Sequence, residues 1–287
     1  MSDSKSHVGR KVSPCIRAVP EHLAWLVDTE QIIKTADGRS VLVMELRHKN
    51  DDRVLSAWAK HFRNHYCDDG QIDALCNGTG LSRAEYLREI KFPDQTRAPG
   101  PSIRAGDFGE ILVADYVEFA LEYWLPRTRY DRKDVRDEST KGTDIIGFKI
   151  VAAGRDDPND TLAHFEAKAK FTGKSSEMRL QAAVDGSAKD ELRKAESLNA
   201  IKQRFLDLGE AAKVAVVERF QNPEDRPHRE EYGAVALLST PLLDKKEIRS
   251  TNTSSHPQAG NLTLIVIHGP DLMDLVHELY RRAADEA

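Results

Sequence analysis

With 287 residues, of which 40% are hydrophobic, the chain can bury a proper core as one large domain or two small ones. Its 42 basic and 47 acidic side chains give a formal net charge of −5, which excludes nucleic-acid binding by bulk positive charge and predicts weak DNA binding by the isolated protein. No stretch approaches the ~18 apolar residues of a membrane span and the first ten residues lack an apolar core, so a cytoplasmic protein without membrane contact is expected.

Residues 1–20 form a polar lead. Ile32-Ile33, an Asp37-Gly38 turn and the apolar run 41–46 then spell a β-hairpin. Helices are expected over 52–66 and 82–91, the second opened by a Ser82-x-x-Glu85 capping box. His61 and His65 are four apart on the first of these, with Cys67 close by. The residues between them are Phe-Arg-Asn, without the glutamate of His-Glu-x-x-His, and both flank the apolar stripe Val54, Trp58, Phe62, Tyr66; they read as structural. Cys15, Cys67 and Cys76 are odd in number and lack Cys-x-x-Cys spacing, which argues against a disulfide framework and a zinc site. Three prolines and Gly100 within 92–101 mark the best boundary, dividing the chain into a smaller N-terminal α+β region (1–98), a candidate for partner binding, and a main domain (99–287).

A helix is expected from Gly106 to about Tyr123, with Asp107 as N-cap and Glu110 at N3. Glu110 is then either a capping-box glutamate or a functional acid. Between 127 and 141, six basic residues meet four acidic ones, a run that reads first as a solvated loop. Asp144 opens a strand to about 151 behind the permissive backbone of Gly142, and the turn-rich segment 153–160 leads into a second strand. That strand alternates strictly: Phe165, Ala167, Ala169 and Phe171 on one face, His164, Glu166, Lys168 and Lys170 on the other. Acid-x-Lys occurs four more times, at Asp3, Glu89, Asp131 and Asp244, but only Glu166 and Lys168 share a strand face. An ordinary half-buried strand with a charged outer face would give the same alternation. Helical pattern follows over 176–208, broken near Gly186. Strands are expected at 213–217, 233–238 and 262–267, and a closing amphipathic helix at 270–284 with Leu272, Leu275, Val276, Leu279 and Tyr280 inward. The fold class is α/β.

Chemistry concentrates at Asp144, Glu166 and Lys168. Two carboxylates suit a hard divalent cation, and a neighbouring ammonium can act on an attacking water, the parts that phosphodiester cleavage needs. Phosphate-loop, nucleophile-elbow and dinucleotide-binding patterns are all absent from the sequence.

Gly106-Asp-Phe-Gly-Glu110, Lys141-Gly-Thr-Asp144 and Phe165-Glu-Ala-Lys168, with the helix–strand–strand–helix order around them, resemble the PD-(D/E)xK restriction-endonuclease-like superfamily over residues 105–208. More narrowly, these blocks are similar to the HamA family, nuclease subunits of the Hachiman anti-phage defence system. The resemblance implies a restriction-endonuclease-like core with a mixed central sheet, and a Mg²⁺- or Mn²⁺-dependent DNA endonuclease working with a helicase subunit of the HamB kind. It assigns metal binding to Asp144, Glu166 and the carbonyl of Ala167, completion of the acidic cluster to Glu110, and action on the attacking water or the phosphate to Lys168. Lys170 and Gln181 are weaker candidates for phosphate and site contacts. The superfamily's Pro-Asp is Thr143-Asp144 here. A restriction or repair nuclease, or a non-catalytic binding subunit, are the alternatives.

Overall fold

The computed structural model describes residues 18–152 and 154–287. Residues 1–17 of the polar lead, with Cys15, lie outside the described residues, as does Ala153 of the expected turn. The described strands and α-helices are, in order, β1 (Leu26–Lys34), β2 (Ser40–Leu46), α1 (Asp52–Tyr66), α2 (Ile72–Cys76), α3 (Arg83–Tyr86) and α4 (Gly100–Asp115). Then come β3 (Ile145–Lys149), β4 (Thr161–Lys170), α5 (Arg179–Ser187), α6 (Asp190–Asp207) and α7 (Ala211–Arg219). The chain closes with β5 (Arg229–Ser239), α8 (Lys245–Ser250), β6 (Leu262–Gly269) and α9 (Leu272–Asp285).

The strands form one sheet in the order β1-β2-β6-β5-β4-β3. β2, β6, β5 and β4 run parallel to their neighbours, while β1 and β3 pair antiparallel at the two edges. Parallel strands need cover on both faces, and the sequence supplies it. Val235 and Leu237 of β5 point to the side where α1, α4 and α9 bury Trp58, Phe108, Leu279 and Tyr280. Ala234 and Ala236, one step out of phase, face Leu180, Ala183 and Val184 of α5. On that second side α6 and α7 bring Leu198, Phe205, Val214 and Val217 against Phe148 and Leu162. Each such fully buried Leu, Val or Phe contributes about 1.5–3 kcal/mol. The result is the α/β fold expected of a restriction-endonuclease-like core, a mixed central sheet flanked by helices.

β1 and β2 extend this same sheet, with residues 41–45 paired to 264–268 of β6. Residues from both sides of the 98/99 boundary therefore pack in one core, Trp25, Leu46 and Trp58 beside Phe108 and Leu237. Among the described residues, no helix is long and apolar enough to cross a membrane.

Three expectations need correction. The run 213–217 is helical, in α7, not a strand. Its buried Val214 and Val217, with Phe220 just past its end, are three apart, which is one helical face, and a five-residue apolar run cannot distinguish the two periods. Helix α4 starts at Gly100, not Gly106, because Pro101 fits the first turn, where no amide hydrogen is needed. Asp107 is thus an interior residue and caps nothing. Finally, the charged run 127–141 is not a solvated loop. Arg127, Arg129, Arg132, Lys133 and Arg136 are all ion-paired, and Lys133 is buried.

Candidate active site

Alternation along β4 puts Glu166 and Lys168 on one face, as read from the sequence, and Ile145 pairs with Phe165 across the β3–β4 ladder. Asp144, one residue before β3, therefore sits beside the site end of β4, and the Ala167 amide donates to its Oδ2 at 3.2 Å. Gly142 takes φ +95° in the turn that delivers it, a conformation that glycine adopts without strain. Glu110 comes from α4, on the opposite face of the sheet. With the helix start at Gly100, Glu110 is well inside α4, so the capping-box role is gone.

The four candidate residues, with one the sequence did not single out, make a row of alternating charge. Glu110 Oε2 accepts from Arg129 Nε at 2.8 Å and from the Tyr130 hydroxyl. The same guanidinium donates through Nη2 to Asp144 Oδ1 at 2.7 Å. Lys168 Nζ lies 3.9 Å from Asp144 Oδ2 and is bonded to Glu166 Oε1. Beyond Glu166 comes a further acid, Asp190 at the start of α6, whose Oδ1 accepts from the Thr143 hydroxyl at 3.0 Å. Asp190 is fully buried, and Glu166 is only 4% exposed.

Electrostatics follow from this crowding. Burial, reinforced by the charge of Asp144, pushes both Glu110 and Glu166 above the ordinary carboxyl range. Asp190 is pushed up to about 7, chiefly by burial and then by Asp144, against the bond from Thr143. Burial works against the charge on Lys168, yet Asp144 and Glu166 hold its pKa above the ordinary value. Arg129 is held protonated in the same way by Glu110 and Asp144. Two buried carboxyl oxygens, Glu166 Oε2 and Asp190 Oδ2, have no hydrogen-bond partner among the described residues. An orphaned buried acceptor of this kind is costly, and it fits a site built to receive a cation. The donor set is all oxygen, the kind a hard divalent ion takes.

A cavity of about 770 Å³ opens against Glu110 and Asp144. Arg127, Arg129, Arg132, Lys141 and Arg204 also line it, whereas Glu166 and Lys168 do not. Glu110 and Asp144 thus face open space on the Arg129 side of the row. Lys170 points elsewhere and pairs with Glu177. Gln181 is bonded to Asp185 and to the backbone of Asn252, not to the acids.

Sequence reasoning missed Arg129, Tyr130 and Asp190. Arg129 was masked by the charge run around it, and Asp190 by its resemblance to any first-turn acid of a helix. His61 and His65, read from the sequence as structural, belong to a second polar cluster with Asp115 and His22, which were not singled out. Nε2 of His61 lies 2.9 Å from Asp115 Oδ1 and 3.4 Å from Nε2 of His65, close enough to suggest a metal site. Arg127 already places a guanidinium on that Asp115 oxygen, at 2.7 Å, and His22 takes the other at 3.0 Å. The carboxylate is neutralised from within, and the cluster acts as a tie between α1, α4 and the segment after α4.

No match is found among curated proteins. The HamA family model matches residues 21–283, nearly the whole length, and the chain belongs to the HamA family, proteins of the Hachiman anti-phage defence system.

Proposed function

We propose that this protein is a Mg²⁺- or Mn²⁺-dependent DNA endonuclease, acting in the cytoplasm as part of anti-phage defence, with a HamB-like helicase subunit controlling its access to DNA. One observation carries the reading: Glu110, Asp144, Glu166 and Lys168, drawn from α4, the turn before β3, and β4, converge in a single row at one end of the sheet. Asp144 and Glu166, with the carbonyl of Ala167, would hold the ion, and Glu110 would complete the anionic cluster. When bound, the ion supplies positive charge to the phosphate and lowers the pKa of a water.

The protein's own groups do the rest. Lys168 is held protonated by its two acidic neighbours, so it meets the substrate as a cation and hydrogen-bond donor before it can act as a base. The arginines around the cavity give a polyanion a positive wall in a chain that is acidic as a whole. Several of them are already paired, Arg132 with Asp207 and Arg204 with Asp131, so DNA must compete for them. Net negative charge and paired arginines together favour delivery of DNA by a partner.

The test is plasmid cleavage with Mg²⁺ or Mn²⁺, comparing wild type, Glu166→Ala and Lys168→Ala, each alone and with the helicase partner and ATP. Cleavage is expected from the wild type, with Lys168→Ala slower by about 10²–10⁴-fold, the usual contribution of a positioned proton-transfer group. Cleavage that survives both substitutions, or no cleavage under any condition, would replace this reading with a non-catalytic binding subunit. Cleavage that needs no partner would favour a restriction or repair nuclease of the same superfamily.

A further inference from the structure

Asp190 lies outside the four residues that define the candidate site, yet its surroundings point into it. It is fully buried, and Thr143, the residue before Asp144, anchors only one of its oxygens. The other, Oδ2, has no hydrogen-bond partner among the described residues, and neither has Glu166 Oε2. The Glu166 side chain lies flat against the last turn of α5: a Cβ on Gly186 would fall 2.5 Å from its Oε1 and 2.8 Å from its Cδ. Asp190 begins the next helix four residues later, and the 3.0 Å bond from Thr143 ties it to the turn whose Asp144 meets the β4 backbone beside Glu166, through the Ala167 amide.

The balance of charge is uneven along the row. Arg129 serves Glu110 and Asp144, and Lys168 serves Asp144 and Glu166. Among the described residues Asp190 has no ion pair, and Arg193 acts on it only through space. Four carboxyl groups against two bonded bases leave negative charge unmatched when all are ionised, and the surplus falls at the Asp190 end of the row, where no base is bonded among the described residues. An unpaired buried carboxylate costs several kcal/mol as a rule, and an oxygen-rich pocket is where Mg²⁺ or Mn²⁺ would relieve it.

We propose that Glu166 Oε2 and Asp190 Oδ2 together hold a divalent cation, a second position on the α5–α6 side of Glu166, separate from that at Asp144 and Ala167. Glu166 then bridges the two positions, and Asp190 is a metal ligand. This rests on the metal-dependent reading of the site.

The experiment counts Mn²⁺ bound to the purified full chain, by electron paramagnetic resonance of the free ion, for wild type, Asp144→Asn and Asp190→Asn. Thermal melts with and without Mn²⁺ accompany each titration. Asp190→Asn keeps the shape and the Thr143 bond, and it is expected to lose one Mn²⁺ per chain and part of the Mn²⁺-induced rise in melting temperature. The same number of ions bound with the same affinity in Asp190→Asn would overturn the assignment. If that variant were also more stable without metal, the two oxygens share a proton and not an ion. Loss of Mn²⁺ in Asp144→Asn alone would spare the metal-dependent reading while removing Asp190 from it. A wild-type chain that binds no Mn²⁺ would sink both.

Discussion

Arg129 is the residue whose position says most about the resting state of the site. Besides Glu110 and Asp144 it donates to the carbonyls of Thr143 (2.8 Å) and Thr140 (3.1 Å), so its guanidinium is fixed on every side and only 15% exposed. A cation entering between Glu110 and Asp144 has to displace one that is already tethered there. Charge-assisted hydrogen bonds of this kind are worth about 1.5–3 kcal/mol each, so removing the competitor changes affinity by a measurable factor. Arg129→Gln is expected to bind Mn²⁺ about 10-fold more tightly, the equivalent of about 1.4 kcal/mol, and to melt lower without metal, as two buried acids lose their counter-ion. Calorimetric titration reads the first and a metal-free melt the second; unchanged affinity would make Arg129 a purely structural strut. None of this was legible in the sequence. Glu110 and Asp144 lie 19 and 15 residues from Arg129 in the chain, and only the fold brings them to it.

At the scale of elements, legibility tracked how cleanly a period could be read. β4 was plain because the eight residues from His164 to Phe171 alternate, and α9 because Leu272, Leu275, Val276, Leu279 and Tyr280 keep one face; all five are buried. The capping box at Ser82 and Glu85 is present with both of its bonds. The start of α4 was hidden because Pro99 and Pro101 read as boundary residues, and α7 because its apolar run was too short. Glu166 and Lys168 were found for the reason β4 was; Asp190 was not, because its partner Thr143 belongs to a different element. The contact between β4 and α5 yields a prediction of its own. Gly186→Ala would push a methyl group into the end of the Glu166 side chain, which can swing more readily than backbone can shift. The expected outcome is a modest loss of stability, about 1 kcal/mol, beside a clear loss of Mn²⁺ affinity and cleavage. A melt and a metal titration separate the two, and a variant that unfolds while still binding Mn²⁺ normally would contradict it.

The described residues form one sheet with two covered faces, and Asp115 is a fully buried charge that ties its parts together. Burial alone would raise its pKa, but Arg127 and His61, with the bond from His22, hold it well below the ordinary carboxyl range. A carboxyl group with a depressed folded pKa adds stability that is fully present above its unfolded value, near 4, and lost as pH falls toward the folded one. Asp115→Asn is therefore expected to cost about 3–5 kcal/mol at neutral pH, with the gap to wild type closing in acid; pH-dependent chemical denaturation of both chains checks it. A gap that stays constant to pH 3 would mean that Asp115 contributes by shape and not by charge. The sheet order carries one more consequence. β6 lies between β2 and β5, yet of the six described strands it is the last to leave the ribosome. During synthesis the N-terminal hairpin must wait, with the β2 edge open, until some two hundred further residues have emerged. A chain released before residue 262 carries every acid of the candidate site but lacks the strand that joins its two sides, so the wiring of the sheet ties a competent fold to completed translation.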